Sequence, residues 1–246
     1  MSHIKKKTES LKKLLSSSIE LTPEVFSNLT LDNNKVAFIC ANPYYESFRL
    51  KLGDPCCNDA ILIAQYYSSK GYTCYCVVDP SKEIFVNYLK FFTEQNSIHD
   101  LIIFYAGHGG SIRDTSIKYS NGKLVPNDEI DGRDETWVFK DGDLVDDEMR
   151  EIWDNNKCGQ IFVISDSCHS GTVIETSRNN VSSFCGCKDN QSSIQLARNG
   201  IFTYFLFEHA NKKNKTLKEY EIVINEKIKD YGQNCKFTGN RVHMFV

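Results

Sequence analysis

Apolar runs of strand length recur along the chain and alternate with stretches of helical spacing. Lys35-Val-Ala-Phe-Ile-Cys-Ala41, Leu101-Ile-Ile-Phe-Tyr-Ala106 and Gln160-Ile-Phe-Val-Ile-Ser165 are almost continuously apolar, as strands covered on both faces are. Tyr72 to Val78 is rich in β-formers, and Trp137 to Phe139 is a shorter run of the same kind. Between them, Asp54 to Lys70 carries Ile61, Ala64 and Tyr67 at a spacing of three and stops at Gly71, which predicts a helix. Ser81 opens a second helix to about Gln95, Asp146 to Asp154 is a third, and 200–213 and 216–231 are two more. The alternation predicts an α/β domain with a parallel sheet covered on both faces. Residues 1–34 read as an N-terminal extension with a short amphipathic helix around Leu11, Leu14 and Leu15; the domain itself is expected over 35–246. Within it, 175–198 is rich in Ser, Asn and Gly and reads as a long loop.

Composition narrows the class. With 246 residues, 41% hydrophobic and 25% charged, the chain can bury one large core. A net charge of −3 argues against nucleic acid as a partner. No run of about 18 apolar residues offers a membrane span, and the basic opening lacks the apolar stretch of a signal peptide. Ten cysteines in a long, unsignalled chain are expected as reduced thiols in the cytoplasm rather than a disulfide framework.

Two strand ends carry unusual chemistry. His108 stands among Gly107, Gly109 and Gly110 after one central strand, and Cys168 stands in Asp166-Ser-Cys-His-Ser-Gly171 after another. Functional groups of open α/β sheets gather at such carboxyl ends, and a thiol beside an imidazole forms a nucleophile–base pair. Cys40, Cys74 and Cys76 lie inside strands and are expected to be packing residues. Cys185 and Cys187 have no second Cys or His pair at zinc-finger spacing. His169, next to the thiol, is a lesser candidate base because a neighbouring side chain usually points away.

At these residues the chain resembles the metacaspases, caspase-related cysteine peptidases. Phe104-Tyr-Ala-Gly-His-Gly-Gly110 is similar to their histidine motif and Asp166-Ser-Cys-His-Ser-Gly-Thr-Val173 to their cysteine motif. Asp131-Gly-Arg-Asp-Glu-Thr136, Leu144-Val-Asp-Asp-Glu148 and Cys56-Cys-Asn-Asp-Ala60 are similar to three further blocks, in order. The resemblance implies a caspase-like three-layer α/β/α sandwich, monomeric, with Cys168 as nucleophile and His108 as acid/base. The amides of Gly109 and Cys168 would form the oxyanion hole. It also places Asp166, Asp59 and Cys56 in a pocket for a substrate Arg or Lys side chain immediately before the cut bond (the P1 residue). Ala106 stands where many members carry Ser, so one hydrogen bond to that side chain would be missing. Asp59 would equally suit a helix cap and Asp166 a turn.

The stretch from Asp128 to Glu151 is strongly acidic, and most of it is expected to be a solvated face. Adjacent Asp146 and Asp147 repel unless hydrated or neutralised, although they also suit a helix N-terminus. The resemblance implies Ca²⁺ as an activator held by Asp134, Asp146, Asp147 and Glu175, the last replacing the usual aspartate. Arg178, Lys188 and Arg198 are candidate self-processing sites. The expectation is a calcium-stimulated endopeptidase acting on protein or peptide substrates with a basic P1 residue. The rivals are a catalytically weak scaffold that binds proteins and a calcium sensor without catalysis.

Overall fold

The computed structural model describes residues 8–45, 50–113, 118–120, 123–125, 133–168, 174, 176–188, 193–196, 198–210 and 215–244. The strands are β1 (Ile19–Glu20), β2 (Lys35–Ala41), β3 (Thr73–Val78), β4 (Asp100–Ala106), β5 (Gly109–Arg113), β6 (Lys118–Ser120), β7 (Lys123–Val125), β8 (Arg133–Phe139), β9 (Gly142–Val145), β10 (Gln160–Asp166), β11 (Val181–Cys185) and β12 (Lys236–Thr238). The helices are α1 (Glu9–Ser17), α2 (Pro23–Ser27), α3 (Asp54–Ser69), α4 (Lys82–Thr93), α5 (Asp146–Asp154), α6 (Ile201–Ala210) and α7 (Leu217–Ile228).

Local chemistry sets the helix ends. The Ser81 hydroxyl accepts from the Ile84 N–H at 3.2 Å to start α4, and Thr216 with Glu219 forms a reciprocal cap on α7. Beyond α3, Gly71 takes a φ of +84°, which only glycine adopts without strain.

Seven strands form the main sheet in the order β1-β3-β2-β4-β10-β11-β12. Every pairing is parallel except β11 with β12. Ala37, Ile39, Ile102, Phe104 and Ile164 face α1, α3, α6 and α7, whereas Phe38, Cys40, Ile103, Tyr105 and Val163 face α4 and α5. This is the expected three-layer α/β/α sandwich, and it explains the unbroken apolar strands. The order reverses between β2 and β4, which opens a crevice at their carboxyl ends. No described helix is long and apolar enough to cross a membrane.

Three segments depart from the sequence reading. Residues 8–34 are built into the domain: Leu14 and Leu21 are fully buried, and β1 extends the main sheet beside β3. The expected loop over 175–198 contains β11, buried along its whole length between β10 and β12. Its polar Ser182 and Ser183 masked a strand that the sheet covers on both sides. A separate antiparallel sheet, β5-β8-β9, joins the histidine turn to the acidic region.

Candidate active site

His108 follows β4 and immediately precedes β5. Its N–H donates to the Tyr45 hydroxyl, and its C=O accepts from the Tyr105 hydroxyl at 2.8 Å and the Val138 N–H at 3.0 Å. Its Nε2 lies 2.9 Å from the Leu50 carbonyl oxygen. With the proton on Nε2 this is a donated bond, and Nδ1 is left as the basic nitrogen.

Cys168 lies two residues past β10. A Cβ on Gly109 would overlap the Cys168 carbonyl oxygen, so glycine there lets the histidine and cysteine turns touch. The Ser193 N–H donates to the Cys168 Sγ at 3.2 Å. All ten cysteines are free, and Cys168 alone is not buried. Burial pushes Cys57, Cys74 and Cys158 up to about 12, where a neutral solution holds almost no thiolate. His169, the lesser candidate base, lies outside the described residues.

Beside the thiol and the imidazole is a cavity of about 80 Å³ lined by Leu52, Cys56, Asp59, Ala106, Asp166 and Gly200, among others. Strand register sets Ala106 directly beside Asp166. Asp166 accepts from the Ser193 hydroxyl at 2.8 Å, the Thr203 hydroxyl at 2.6 Å and the Thr203 N–H at 3.1 Å. Asp59 accepts from Asn199 Nδ2 at 2.8 Å and the Gly200 N–H at 2.9 Å. Burial raises both carboxyls, and the Asp166 charge raises Asp59 further. No Lys or Arg is among the described residues lining this cavity. Two buried carboxyl groups therefore line the cavity beside the thiol and the imidazole. Gln195 reaches Cys56 Sγ at 3.8 Å, the long edge of a sulfur hydrogen bond. The site residues that the sequence reading lacked are Tyr45, Ser193, Asn199 and Thr203. Each is remote in sequence from both motifs, and none carries a pattern of its own. A larger cleft, of about 600 Å³, lies along β11 and β12 and involves neither His108 nor Cys168.

The acidic cluster sits at the other end of the small sheet. Asp134 is on β8, while Asp146 and Asp147 open α5. Asp146 is raised to about 6, first by burial and also by the charges of Asp134 and Asp147. Its oxygens accept from the N–H groups of Glu135 at 3.2 Å and Asp147 at 2.8 Å, and Asp147 pairs with Arg150 at 3.4 Å. An all-oxygen donor set suits a hard cation, and a cation would relieve the repulsion at Asp146. Among the described residues, however, no three acidic, His or Cys side chains converge as a metal cage. Glu175 lies outside the described residues.

Comparison with known proteins bears on the fold and the family. The caspase domain family matches residues 34–239. Metacaspase-1 of Candida glabrata is 30% identical over 103 residues, 39% of this chain and 24% of that protein. Metacaspase-1 of Schizosaccharomyces pombe is 29% identical over 103 residues, 39% of this chain and 22% of that protein. The chain thus spans about a quarter of the length of these relatives. Among solved structures, a Geobacter sulfurreducens protein superposes with a TM-score of 0.63 at 21% identity, covering 83% of this chain and 92% of that one. Caspase-1 from Spodoptera frugiperda superposes with a TM-score of 0.63 at 13% identity, covering 86% and 89%. At those identities the likeness is one of fold. A sandwich of this order, a thiol and an imidazole lining one cavity at the carboxyl ends of its strands, and a family match spanning most of the sequence make this chain a metacaspase-like member of the caspase domain family.

Proposed function

We propose that the chain is a cysteine endopeptidase that cleaves after Arg or Lys. The observation that carries this is a thiol and an imidazole facing a cavity built around two buried carboxylates, Asp59 and Asp166. His108 takes the Cys168 proton, and the sulfur attacks the scissile carbonyl carbon. The amides of Gly109 and Cys168 face the developing oxyanion. His108 then protonates the departing amine as the carbon–nitrogen bond breaks. Water, deprotonated by the same imidazole, hydrolyses the thioester and returns the thiol. An acidic P1 side chain would add a third negative charge to the pocket and is rejected.

Calcium stimulation is the second part of this reading. Asp134, Asp146, Asp147 and Glu175 would hold the ion, which would supply charge that neutralises the cluster and takes no part in the bond changes. Hydrolysis of fluorogenic peptides with P1 Arg, Lys or Asp tests both parts, run with Ca²⁺ and with chelator beside Cys168→Ala. Turnover of the basic peptides, lost in Cys168→Ala, is expected. Turnover of the P1 Asp peptide alone would overturn the pocket assignment. No turnover by folded protein would favour a binding scaffold, and equal rates in chelator would remove calcium.

A further inference from the structure

We infer that Tyr45 and Tyr105 are positioning residues for His108, a pair of buried hydroxyls that fixes the backbone of a histidine otherwise surrounded by glycine. The inference rests on the Cys168–His108 pair proposed above and extends it to groups that touch neither substrate nor sulfur. A histidine between Gly107 and Gly109 has unusually free neighbours. Both of its own main-chain polar groups are nevertheless taken by tyrosine: its N–H donates to Tyr45, and its C=O accepts from Tyr105 at 2.8 Å. The two hydroxyls converge on the same side of Gly107. The single Tyr105 proton serves the carbonyls of His108 and Val138, both at 2.8 Å, so one phenol ties the histidine turn to β8. The Tyr45 ring lies 5.1 Å from the imidazole, tilted by 43°.

Two further observations make the pair a built device. A Cβ on Gly107 would lie 2.6 Å from the Tyr45 hydroxyl oxygen and 2.7 Å from that of Tyr105. The glycine before the histidine is therefore required by the tyrosines. Tyr45 itself sits at a φ of +52°, a conformation rare for a bulky side chain. Asp79 holds it there by accepting from the N–H groups of Tyr44 and Tyr45, both at 3.0 Å. The same pair reaches the cysteine turn. Tyr105 stacks on Trp137 at 4.5 Å and 6°, and the Trp137 Nε1–H donates to Ser165 at 3.0 Å. Ser165 in turn lies 3.0 Å from the hydroxyl of Ser167, the residue before Cys168.

Tyr45→Phe and Tyr105→Phe keep the rings and remove the hydroxyls. Each is compared with His108→Ala for kcat and KM on a P1 Arg peptide, and for the rate at which iodoacetamide alkylates Cys168 across pH. Circular dichroism and the thermal midpoint certify folding. Tyr45→Phe is expected to lower kcat about tenfold with KM nearly unchanged, because a slightly misplaced base slows chemistry rather than binding. Its alkylation profile should shift towards that of His108→Ala. Folded Tyr45→Phe and Tyr105→Phe proteins with wild-type kcat and wild-type alkylation would overturn the inference, as would a loss confined to KM. If His108→Ala itself leaves alkylation unchanged, the thiol–imidazole reading has failed. If only the tyrosine variants do, the positioning role alone has failed.

Discussion

Asp59 and Asp166 hold protons more tightly than ordinary carboxyls because burial penalises their charge, and the Asp166 charge adds to the effect at Asp59. A guanidinium entering between them reverses both effects. Binding of a P1 Arg peptide to the inactive Cys168→Ala protein should therefore release protons and tighten as pH rises through the range in which the pair titrates. Calorimetry in two buffers of different ionisation enthalpy reads the release directly, and identical heats in both would contradict it. Asp59→Asn should weaken that binding at least about tenfold, the cost of losing one charged contact. At the acidic cluster, Asp146 titrates near 6 in the fold against an ordinary 3.8. The folded protein binds the extra proton, so this group's contribution is full below about pH 4 and is lost as pH rises through about 6. Asp146→Asn removes that loss. Its thermal midpoint relative to the wild type should climb between pH 4 and 7, and parallel curves would contradict it.

Elements decide whether the two turns meet. Gly109→Ala drives a methyl into the Cys168 carbonyl oxygen. Activity should fall by more than about a hundredfold while the fold survives, since the clash is local to two surface turns. β11 is a different case. Phe184 is fully buried on it and packs edge-on to Phe202 at 5.1 Å. Phe184→Ala should cost about 3–5 kcal/mol by denaturant titration. The same strand gives the candidate processing sites unequal consequences. Arg178 stands just before β11, whose pairing to β10 and β12 would hold a chain nicked there together. The Arg198 carbonyl accepts from Asn58 at 2.6 Å, beside the donors that serve Asp59. Peptide mapping with activity on each form should find the first cut tolerated and the second damaging.

At the scale of the molecule, the end of the sheet opposite the site is closed by one ion pair. Arg241 binds Asp100 in a fork of 2.6 and 2.8 Å, with Tyr72 also donating to Asp100. The guanidinium lies 5.0 Å from the Phe162 ring centre and also donates to the carbonyls of His243 and Met244, fastening the C-terminal segment beneath the sheet. Both partners are almost fully buried. Arg241→Met should therefore destabilise by about 3–5 kcal/mol, because it strands a buried carboxylate, and adding Asp100→Asn should recover part of that loss. Chemical denaturation of the single and double variants measures the difference.

Strand-length apolar runs, the stop at Gly71 and the caps at Ser81 and Thr216 are local signals, and they were legible because short-range sterics and hydrogen bonding determine them. His108 and Cys168 stood out for a related reason: each sits in a turn whose glycines and polar neighbours break an apolar strand. The sequence by itself therefore determined the layers of the fold, the two strand ends and the carboxylates beside them. It did not reveal β1 or β11, whose short or polar sequences become strands only when neighbouring strands supply their hydrogen bonds. Nor did it reveal Tyr45, Ser193 or Thr203. Only the parallel crossovers, which bring residues 45, 108, 168, 193 and 203 to one crevice, decided that a glycine-flanked histidine would be held by tyrosines and a pair of acids by distant hydroxyls.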